Sequence, residues 1–311
     1  MTDLILHHYP QSPFAEKARL MLGFKGLSWH SVMIPAVMPK PDLTALTGGY
    51  RRTPVLQVGA DIYCDTALIA RRLEQEKVTP ALFPEGREAA AAGLAQFADQ
   101  VLFQHGVAIN FQKKGLAFRF ANMPEEVIKG FVADRQALFA SGTANPLDTR
   151  VALSQWPALM SRLELQLERD GEFILGDVPC IADLAHYHPL WFVASNKAVA
   201  DALDGYPAIA AWMNRIADFG HGSSTQMDAS EAIRIARDAS PAALPGVEFV
   251  SPGGFELGQA VSVSAVDYGT DPVSGSLVHE SNEEIVVARE DERAGLLHVH
   301  FPRYGFRIEA A

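Results

Sequence analysis

Cysteine is scarce in this chain, and its spacing excludes two common roles. Only two cysteines occur in 311 residues, Cys64 and Cys180. They form neither a Cys-x-x-Cys pair nor a zinc-binding pattern, so no dithiol redox motif and no zinc finger are predicted. Two widely separated cysteines are typical of proteins from a reducing compartment, and we predict a cytoplasmic location.

Positive charge and long apolar segments are also in short supply. Lysine and arginine total 26 against 37 acidic residues, and the formal net charge of -11 argues against nucleic acid as a partner. No apolar run is long enough to span a bilayer. The first residues lack the basic and apolar regions of a signal peptide. The sequence therefore predicts a protein without a nucleic-acid or membrane partner.

Apolar material is plentiful, and it is organised in segments with different periodicity. Hydrophobic residues make up 48% of the chain, enough for more than one core. Residues 1–80 follow the β-α-β-β-α order of an α/β thioredoxin-like domain, with a long proline-rich loop at 35–42. Residues 88–220 predict an all-α domain. Its predicted helices are 89–111, 125–139, 156–168, 181–192 and 207–219.

The C-terminal part changes character again. Residues 221–225 resemble a linker, and a short helix is predicted at 230–239. Residues 245–311 contain short apolar runs between polar turns, which predict a small β-barrel-like module of about five strands, similar to an SH3 barrel. This module could cover a site, extend a dimer interface or recruit a partner, and its sequence does not choose among these roles.

Ser12 stands where the first strand gives way to the first helix, with Pro13 at the first helical position. A hydroxyl there lies among free N–H groups of a helix N-terminus, which favour an anion. A bound thiol beside it would have a lowered pKa and would be present as thiolate. The alternative is that Ser12 only caps the helix.

A second motif runs from Arg51 to Thr66. Pro54 opens a short strand that begins at Val55, a turn follows, and a second strand leads into Asp65 and Thr66 at the start of a helix. A carboxylate, a hydroxyl and backbone groups would thus meet around one crevice. Helix capping alone would also explain the choice of Asp65 and Thr66.

Together these motifs resemble the glutathione S-transferase family, with a serine-type N-terminal domain similar to the tau and zeta groups. The resemblance implies that Ser12, followed by Phe14 in the same motif, supports the thiolate of glutathione. Relatives with cysteine at this position carry out thiol-disulfide exchange, and this chain has serine there. Tyr9 is a competitor for the role of Ser12, but its place before the turn favours a pocket wall.

The same resemblance implies how the rest of glutathione is bound. Thr53, Pro54 and Val55 match the segment in which a cis proline presents backbone groups to the cysteinyl part of the tripeptide. Asp65 would bind the γ-glutamyl ammonium and Thr66 its carboxylate. Arg51 and Arg52 occupy the place where tau-like members of the family have basic side chains that reach the glycine carboxylate of glutathione. The alternative is that the two arginines are a solvated surface pair.

Other parts of the chain are assigned by the same comparison. Residues 175–183 resemble the family's helix-capping motif, in which Asp183 has a folding role and Cys180 replaces the usual hydroxyl residue. The pocket for an electrophile is predicted near Tyr9, Met38, Phe103 and Phe111.

Histidine pairs could suggest a metal site. His298 and His300 share one face of a strand. No neighbouring carboxylate or cysteine in the sequence completes a ligand set, so structural histidines are favoured and no metal is predicted.

The sequence thus predicts a glutathione transferase-like enzyme that uses glutathione as co-substrate and a small hydrophobic electrophile. The family resemblance also implies a homodimer. Isomerisation or reductive ether cleavage with glutathione is an alternative reaction. A non-catalytic scaffold that uses the C-terminal module is an alternative of a different class.

Overall fold

The N-terminal domain has the predicted order of strands and helices, with one helix more. A computed structural model describes residues 3–244, 246 and 248–311, so the predicted domain boundaries at residues 1 and 245 lie outside the described residues. The additional helix begins at Pro41, within the segment predicted as a loop. The elements are β1 (Leu4–His8), α1 (Pro13–Phe24), β2 (Ser28–Met33), α2 (Pro41–Thr47), β3 (Val55–Val58), β4 (Asp61–Cys64) and α3 (Thr66–Glu76).

The second domain is helical, as predicted. The first predicted helix is continuous in the chain but contains a π-helical turn at Ala98–Leu102. The elements are α4 (Glu88–Phe97), α5 (Phe103–Asn110), α6 (Lys113–Arg119), α7 (Glu125–Leu138), α8 (Thr149–Arg169), α9 (Ile181–Ala194) and α10 (Pro207–Ala217), with a 3-10 turn at Ala200–Leu203. No described helix combines the length and the apolar character needed to cross a membrane.

The segment after α10 returns to the N-terminal sheet. Residues predicted as a linker form strand β5 (Ser223–Gln226), which pairs in parallel with β2, and helix α11 (Ala229–Asp238) follows. The linker interpretation is wrong because this polar stretch pairs with β2 at the edge of the sheet. The remaining strands are β6 (Ala260–Ala265), β7 (Val273–Glu280), β8 (Glu284–Asp291), β9 (Gly295–Pro302) and β10 (Phe306–Ala310).

The five C-terminal strands extend the N-terminal sheet. They lie in the order β10-β6-β7-β8-β9, and β9 pairs in parallel with β4. The complete order, β10-β6-β7-β8-β9-β4-β3-β1-β2-β5, is one ten-stranded sheet. The predicted number of strands in the module is therefore found, but the module is joined to the thioredoxin-like domain edge to edge.

Among the described residues, two large apolar cores and one small apolar cluster follow from this arrangement. One large core is formed by the first domain and the helical domain, and it includes Leu20 and Met21 of α1 together with Trp212 of α10. The other is shared by the first domain and the module, and it contains Ile62 of β4 together with Phe301 of β9. The module thus takes part in the core of the thioredoxin-like domain.

Candidate active site

The register of the sheet brings the predicted site segments to one edge. His7 of β1 lies opposite Val55 of β3, and Val55 lies opposite Cys64 of β4. Ser12 follows β1, and Asp65 follows β4 directly. The end of β1, the start of β3 and the end of β4 therefore meet at the same side of the sheet.

Ser12 is the N-cap of α1. Its Oγ accepts a hydrogen bond from the backbone N–H of Ala15 at 3.2 Å, and its own N–H donates to the carbonyl of Tyr9 at 3.2 Å. The side chain is buried. Because the hydroxyl oxygen acts as acceptor, its hydrogen remains available to donate to an anion at the helix N-terminus.

A buried arginine holds the turn that carries Ser12. Nη2 of Arg19 donates to the carbonyl of Pro10 at 3.0 Å and to Oε2 of Glu16 at 2.6 Å. Nη1 contacts Nδ1 of His8 at 3.0 Å. Burial, with a smaller contribution from Arg19, lowers the pKa of His8 to about 4. The neutral ring therefore accepts from Arg19 and donates to Ser31 at 2.9 Å.

Asp65 caps the helix that closes the other side of the site. Its Oδ1 accepts from the N–H of Ala67 at 2.9 Å, and Thr66 is the first, buried residue of α3. Asp65 has φ 74° and is the only non-glycine with positive φ among the described residues. Such a conformation costs about 1–3 kcal/mol and is often found at functional sites. Burial raises the pKa of its carboxyl.

The segment before β3 has the expected proline geometry but different arginine contacts. The Thr53–Pro54 peptide bond is cis. Arg51 pairs with Asp134 of α7 at 2.8 Å. Arg52 pairs with Asp267 and lies over the ring of Tyr268 at 4.0 Å.

These contacts bear on the prediction that Arg52 binds a ligand carboxylate. The guanidinium of Arg52 donates from Nε to the carbonyl of Tyr268 at 3.1 Å, so in this structure it binds the C-terminal module. A ligand carboxylate would have to compete with Asp267 for it. The sequence missed Asp267 and Tyr268 because both lie in the segment that follows β6, far along the chain.

The predicted pocket residues separate into two groups. Phe103 contacts Phe14 with ring centroids 4.6 Å apart, and an aromatic strip continues through Phe192 to Phe111, at 6.4 and 6.3 Å. Tyr9 instead packs against the core shared with the module. Tyr9 and the aromatic strip therefore pack against different neighbours.

Met38 belongs to the loop that faces α7. Its backbone N–H donates to Oδ1 of Asp134 at 3.0 Å, and Arg135 donates to the carbonyl of Ala36 at 2.7 Å. The proline-rich loop is thereby fixed to the helical domain. The structure thus connects the two domains beside the aromatic strip.

An ion pair next to Phe14 was not predicted. Nζ of Lys17 contacts Asp99 at 2.5 Å, and Nε2 of His188 contacts the other carboxylate oxygen at 2.9 Å. Phe14 and His188 have ring centroids 4.6 Å apart. Asp99 lies in the π-helical turn, a feature common at functional sites. The sequence signal that could have indicated this ion pair is Lys17 itself, a charged residue on the buried face of α1.

Comparison with known proteins agrees with this architecture. The family model for the glutathione S-transferase N-terminal domain matches residues 6–81, and the model for the C-terminal domain matches residues 148–218. A search of curated proteins found no significant match.

Two solved structures are similar to about two thirds of this chain. Glutathione S-transferases from Rhodospirillum rubrum F11 and a domain-containing relative from Marinobacter aquaeolei VT8 are each 19% identical with TM-scores of 0.53. They cover 69% and 68% of this chain, and 87% and 97% of theirs.

A GST-like protein from Pseudomonas syringae is similar over a much greater length. It is 50% identical, with a TM-score of 0.84, and the match covers 100% of both chains, including the C-terminal strands. The chain belongs to the glutathione S-transferase family.

Proposed function

We propose that this protein is a glutathione transferase-like enzyme of the serine type. Glutathione lies along Val55, with its sulfur at Ser12 and its γ-glutamyl group at Asp65 and Thr66. The observation that carries the proposal is the buried N-cap hydroxyl of Ser12, which the sheet register brings to the same edge as Val55 and Asp65.

The chemistry follows from charge at the helix N-terminus. The Ser12 O–H donates to the glutathione sulfur, and the partial positive charge of α1 favours the anion, so that the pKa of the bound thiol falls. The thiolate then forms a carbon–sulfur bond with an electrophilic carbon. A leaving group departs with its electron pair, or the adjacent atom of an acceptor takes a proton. The aromatic strip at Phe14 and Phe103 suits a hydrophobic electrophile.

The two cysteines support transfer over thiol-disulfide exchange. Both are buried and unpaired by disulfide. Burial raises the pKa of Cys64 well above its usual value and that of Cys180 to about 12. A thiol that stays protonated is a poor nucleophile. The reducing, cytoplasmic location and the homodimer remain predictions that accompany this proposal.

Two other functions use the same fold. Glutathione-dependent isomerisation or ether cleavage would keep Ser12 and the glutathione site and change only the second substrate. A scaffold role would leave the site unused. The bonds of Arg52 with Asp267 and Tyr268 favour this second possibility, because they occupy a side chain expected to bind glutathione.

Calorimetry and turnover with glutathione test the proposal. We expect saturable binding, weakened in Asp65→Ala. In Ser12→Ala we expect turnover with a model aryl halide to fall by about 10²-fold, since one hydrogen-bond donor to the reacting charge is lost, while glutathione binding changes little. Asp148→Ala is the matched control, because it removes the N-cap of α8 without touching the site.

The outcomes separate the three functions. No glutathione binding at about millimolar concentration, a weak affinity, would reject transferase and isomerase alike and leave the scaffold. Binding without conjugation would favour the isomerase or ether-cleavage reaction, to be examined with suitable substrates. Unchanged turnover in Ser12→Ala would move thiolate stabilisation to backbone N–H groups of α1.

A further inference from the structure

A cluster of histidines and carboxylates lies at the junction between the module and the thioredoxin-like domain. Asp61 of β4 is the register partner of His298 of β9, and Tyr63 is the partner of His300. Since alternate residues of a strand share a face, Asp61, His298 and His300 project to the same side of the sheet. Asp61 and His300 are buried, and His298 is 14% exposed.

The spacing of these groups suits a divalent metal ion. Oδ1 of Asp61 lies 3.0 Å from Nε2 of His300 and 3.8 Å from Nδ1 of His298. One ligand atom from each of the three residues lies within 4.8 Å of the others. Tetrahedral ligands about 2.0–2.1 Å from Zn²⁺ are separated by about 3.3 Å. The distances of 3.0 and 3.8 Å from Asp61 to the two histidine nitrogens lie on either side of that value.

The surroundings orient the ligands as in known metal sites. Nδ1 of His300 contacts Oε1 of Glu284 at 2.5 Å, which leaves Nε2 directed toward Asp61. A carboxylate on the second ring nitrogen is the usual support of a metal-binding histidine. The other oxygen of Asp61 accepts from the N–H of Ala242 at 2.8 Å, and the ring of Tyr63 stacks on His300 at 4.4 Å.

One polar atom in the cluster lacks a partner. Nδ1 of His298 is buried and makes no hydrogen bond to any described residue. A purely structural role explains His300, which bridges Asp61 and Glu284, but it leaves this nitrogen unexplained. A buried imidazole nitrogen without a hydrogen-bond partner destabilises the folded state. A cation bound between Asp61, His298 and His300 would use it.

We infer that Asp61, His298 and His300 bind a divalent transition-metal ion of the Zn²⁺ type. Imidazole and carboxylate donors suit Zn²⁺, and water completes the coordination on the exposed side of His298. Sequence alone favoured structural histidines because the carboxylates come from β4 and β8, remote in the chain. The ion would fasten β9 to β4 and is independent of the glutathione site.

Metal binding by the full-length protein tests the inference. Protein stripped with a chelator and dialysed is titrated with Zn²⁺ by calorimetry and with Co²⁺ by visible absorption. We expect one equivalent to bind and the Co²⁺ bands to show imidazole and carboxylate ligands. Zn²⁺ affinity should fall by about 10–100-fold in Glu284→Gln and further in His298→Gln. The control is His30→Gln, a histidine near Asp3 at 3.8 Å on another part of the sheet.

Two results would overturn the inference. One is the absence of stoichiometric binding of Zn²⁺ and Co²⁺ by the folded wild-type protein. The other is equal Zn²⁺ affinity in wild type, Glu284→Gln and His298→Gln, which would place any bound ion elsewhere. Circular dichroism confirms that each variant is folded. If His298→Gln fails to fold, Glu284→Gln and the Co²⁺ spectrum of the wild type decide the question.

Discussion

A single buried histidine, His7, makes the stability of this protein sensitive to acid. Nε2 of His7 donates to Oε1 of Gln57 at 2.9 Å. The amide hydrogens of Gln57 are used on the carbonyls of Gly59 and Ala232, at 3.0 and 2.8 Å, which fixes Oε1 as an acceptor. Burial lowers the pKa of His7 to about 4. The folded state therefore holds the neutral ring.

We predict that His7 destabilises the protein as the pH falls from 6.5 towards 4. The unfolded histidine titrates near 6.5 and the folded one near 4, so the unfolded state binds the additional proton in this window. One such group lowers the free energy of unfolding by about 1.4 kcal/mol per pH unit. Urea unfolding between about pH 5 and pH 7 should show a smaller pH slope in His7→Gln. Equal slopes would contradict the assignment.

The sequence predicted the role of a residue where that role depends on its neighbours in the chain. Ser12 was predicted as a helix cap from its neighbour Pro13, and it is one. The positive φ of Asp65 was not predicted, because only the folded sheet imposes it. Arg52 was predicted either to reach a ligand carboxylate or to form a solvated surface pair, and its contact with Asp267, 215 residues away in sequence, was not foreseen. The sequence shows that an arginine stands at position 52, but it does not show that Asp267 contacts it in the folded chain.

At the scale of elements, Asp183 joins three parts of the helical domain. It is the third residue of α9, and its carboxylate accepts from the N–H groups of Cys180 and Ile174 at 2.9 Å each. The indole N–H of Trp212 on α10 donates to it at 2.9 Å. The side chain is fully buried. This one carboxylate therefore fixes the start of α9, the preceding loop and α10.

We predict that Asp183→Asn lowers the free energy of unfolding by about 3 kcal/mol, because an amide presents N–H where an N–H donor already points. Guanidinium unfolding measures the loss. Asp148→Asn is the control: Asp148 caps the exposed start of α8, and asparagine is an equally good N-cap. Similar small losses in both variants would show that Asp183 acts only as an ordinary cap.

The ends of elements show where pattern reasoning fails. The helix predicted from residue 156 begins at Thr149, because Asp148 accepts from Arg150 at 2.8 Å and caps it. Pro157 lies inside α8. Tertiary packing there overrides the local cost of proline. Strand β5 was missed for a similar reason, since its polar residues become a strand only beside β2.

At the scale of the whole molecule, an ion pair connects the first two domains. Lys17 belongs to α1, Asp99 to the π-helical turn, and His188 to α9. Lys17 is 1% exposed and Asp99 19%. Burial lowers the pKa of His188 to about 4, so at neutral pH the positive charge beside Asp99 is that of Lys17.

We predict that Lys17→Met lowers the free energy of unfolding by about 3–5 kcal/mol, because it leaves the Asp99 charge without its cation. Lys17→Met combined with Asp99→Asn should recover part of the loss. Thermal or denaturant unfolding gives both values. Lys114→Met is the control, since its exposed pair with Asp201 is expected to contribute less than about 1 kcal/mol. A loss as small as the control would show that the pair is weak.

The continuous sheet has a consequence for the independence of the C-terminal module. The module pairs with β4 through β9, and its loop residue Gly269 donates to the carbonyl of Leu138 at 2.7 Å. Arg52 of the first domain also pairs with Asp267 of the module. The shared core includes Ile62 and Phe301. Separation of the module would expose this core and the edge of β4 to water.

We therefore predict that the module stays bound when the chain is cut. A specific protease site inserted after Gly246, in the connection between α11 and β6, allows the full-length protein to be cleaved while folded. The two fragments should elute together in size-exclusion chromatography and separate only in guanidinium, because burial of the shared apolar core holds them. A module fragment that elutes alone under native conditions would show that the sheet joins two independent domains.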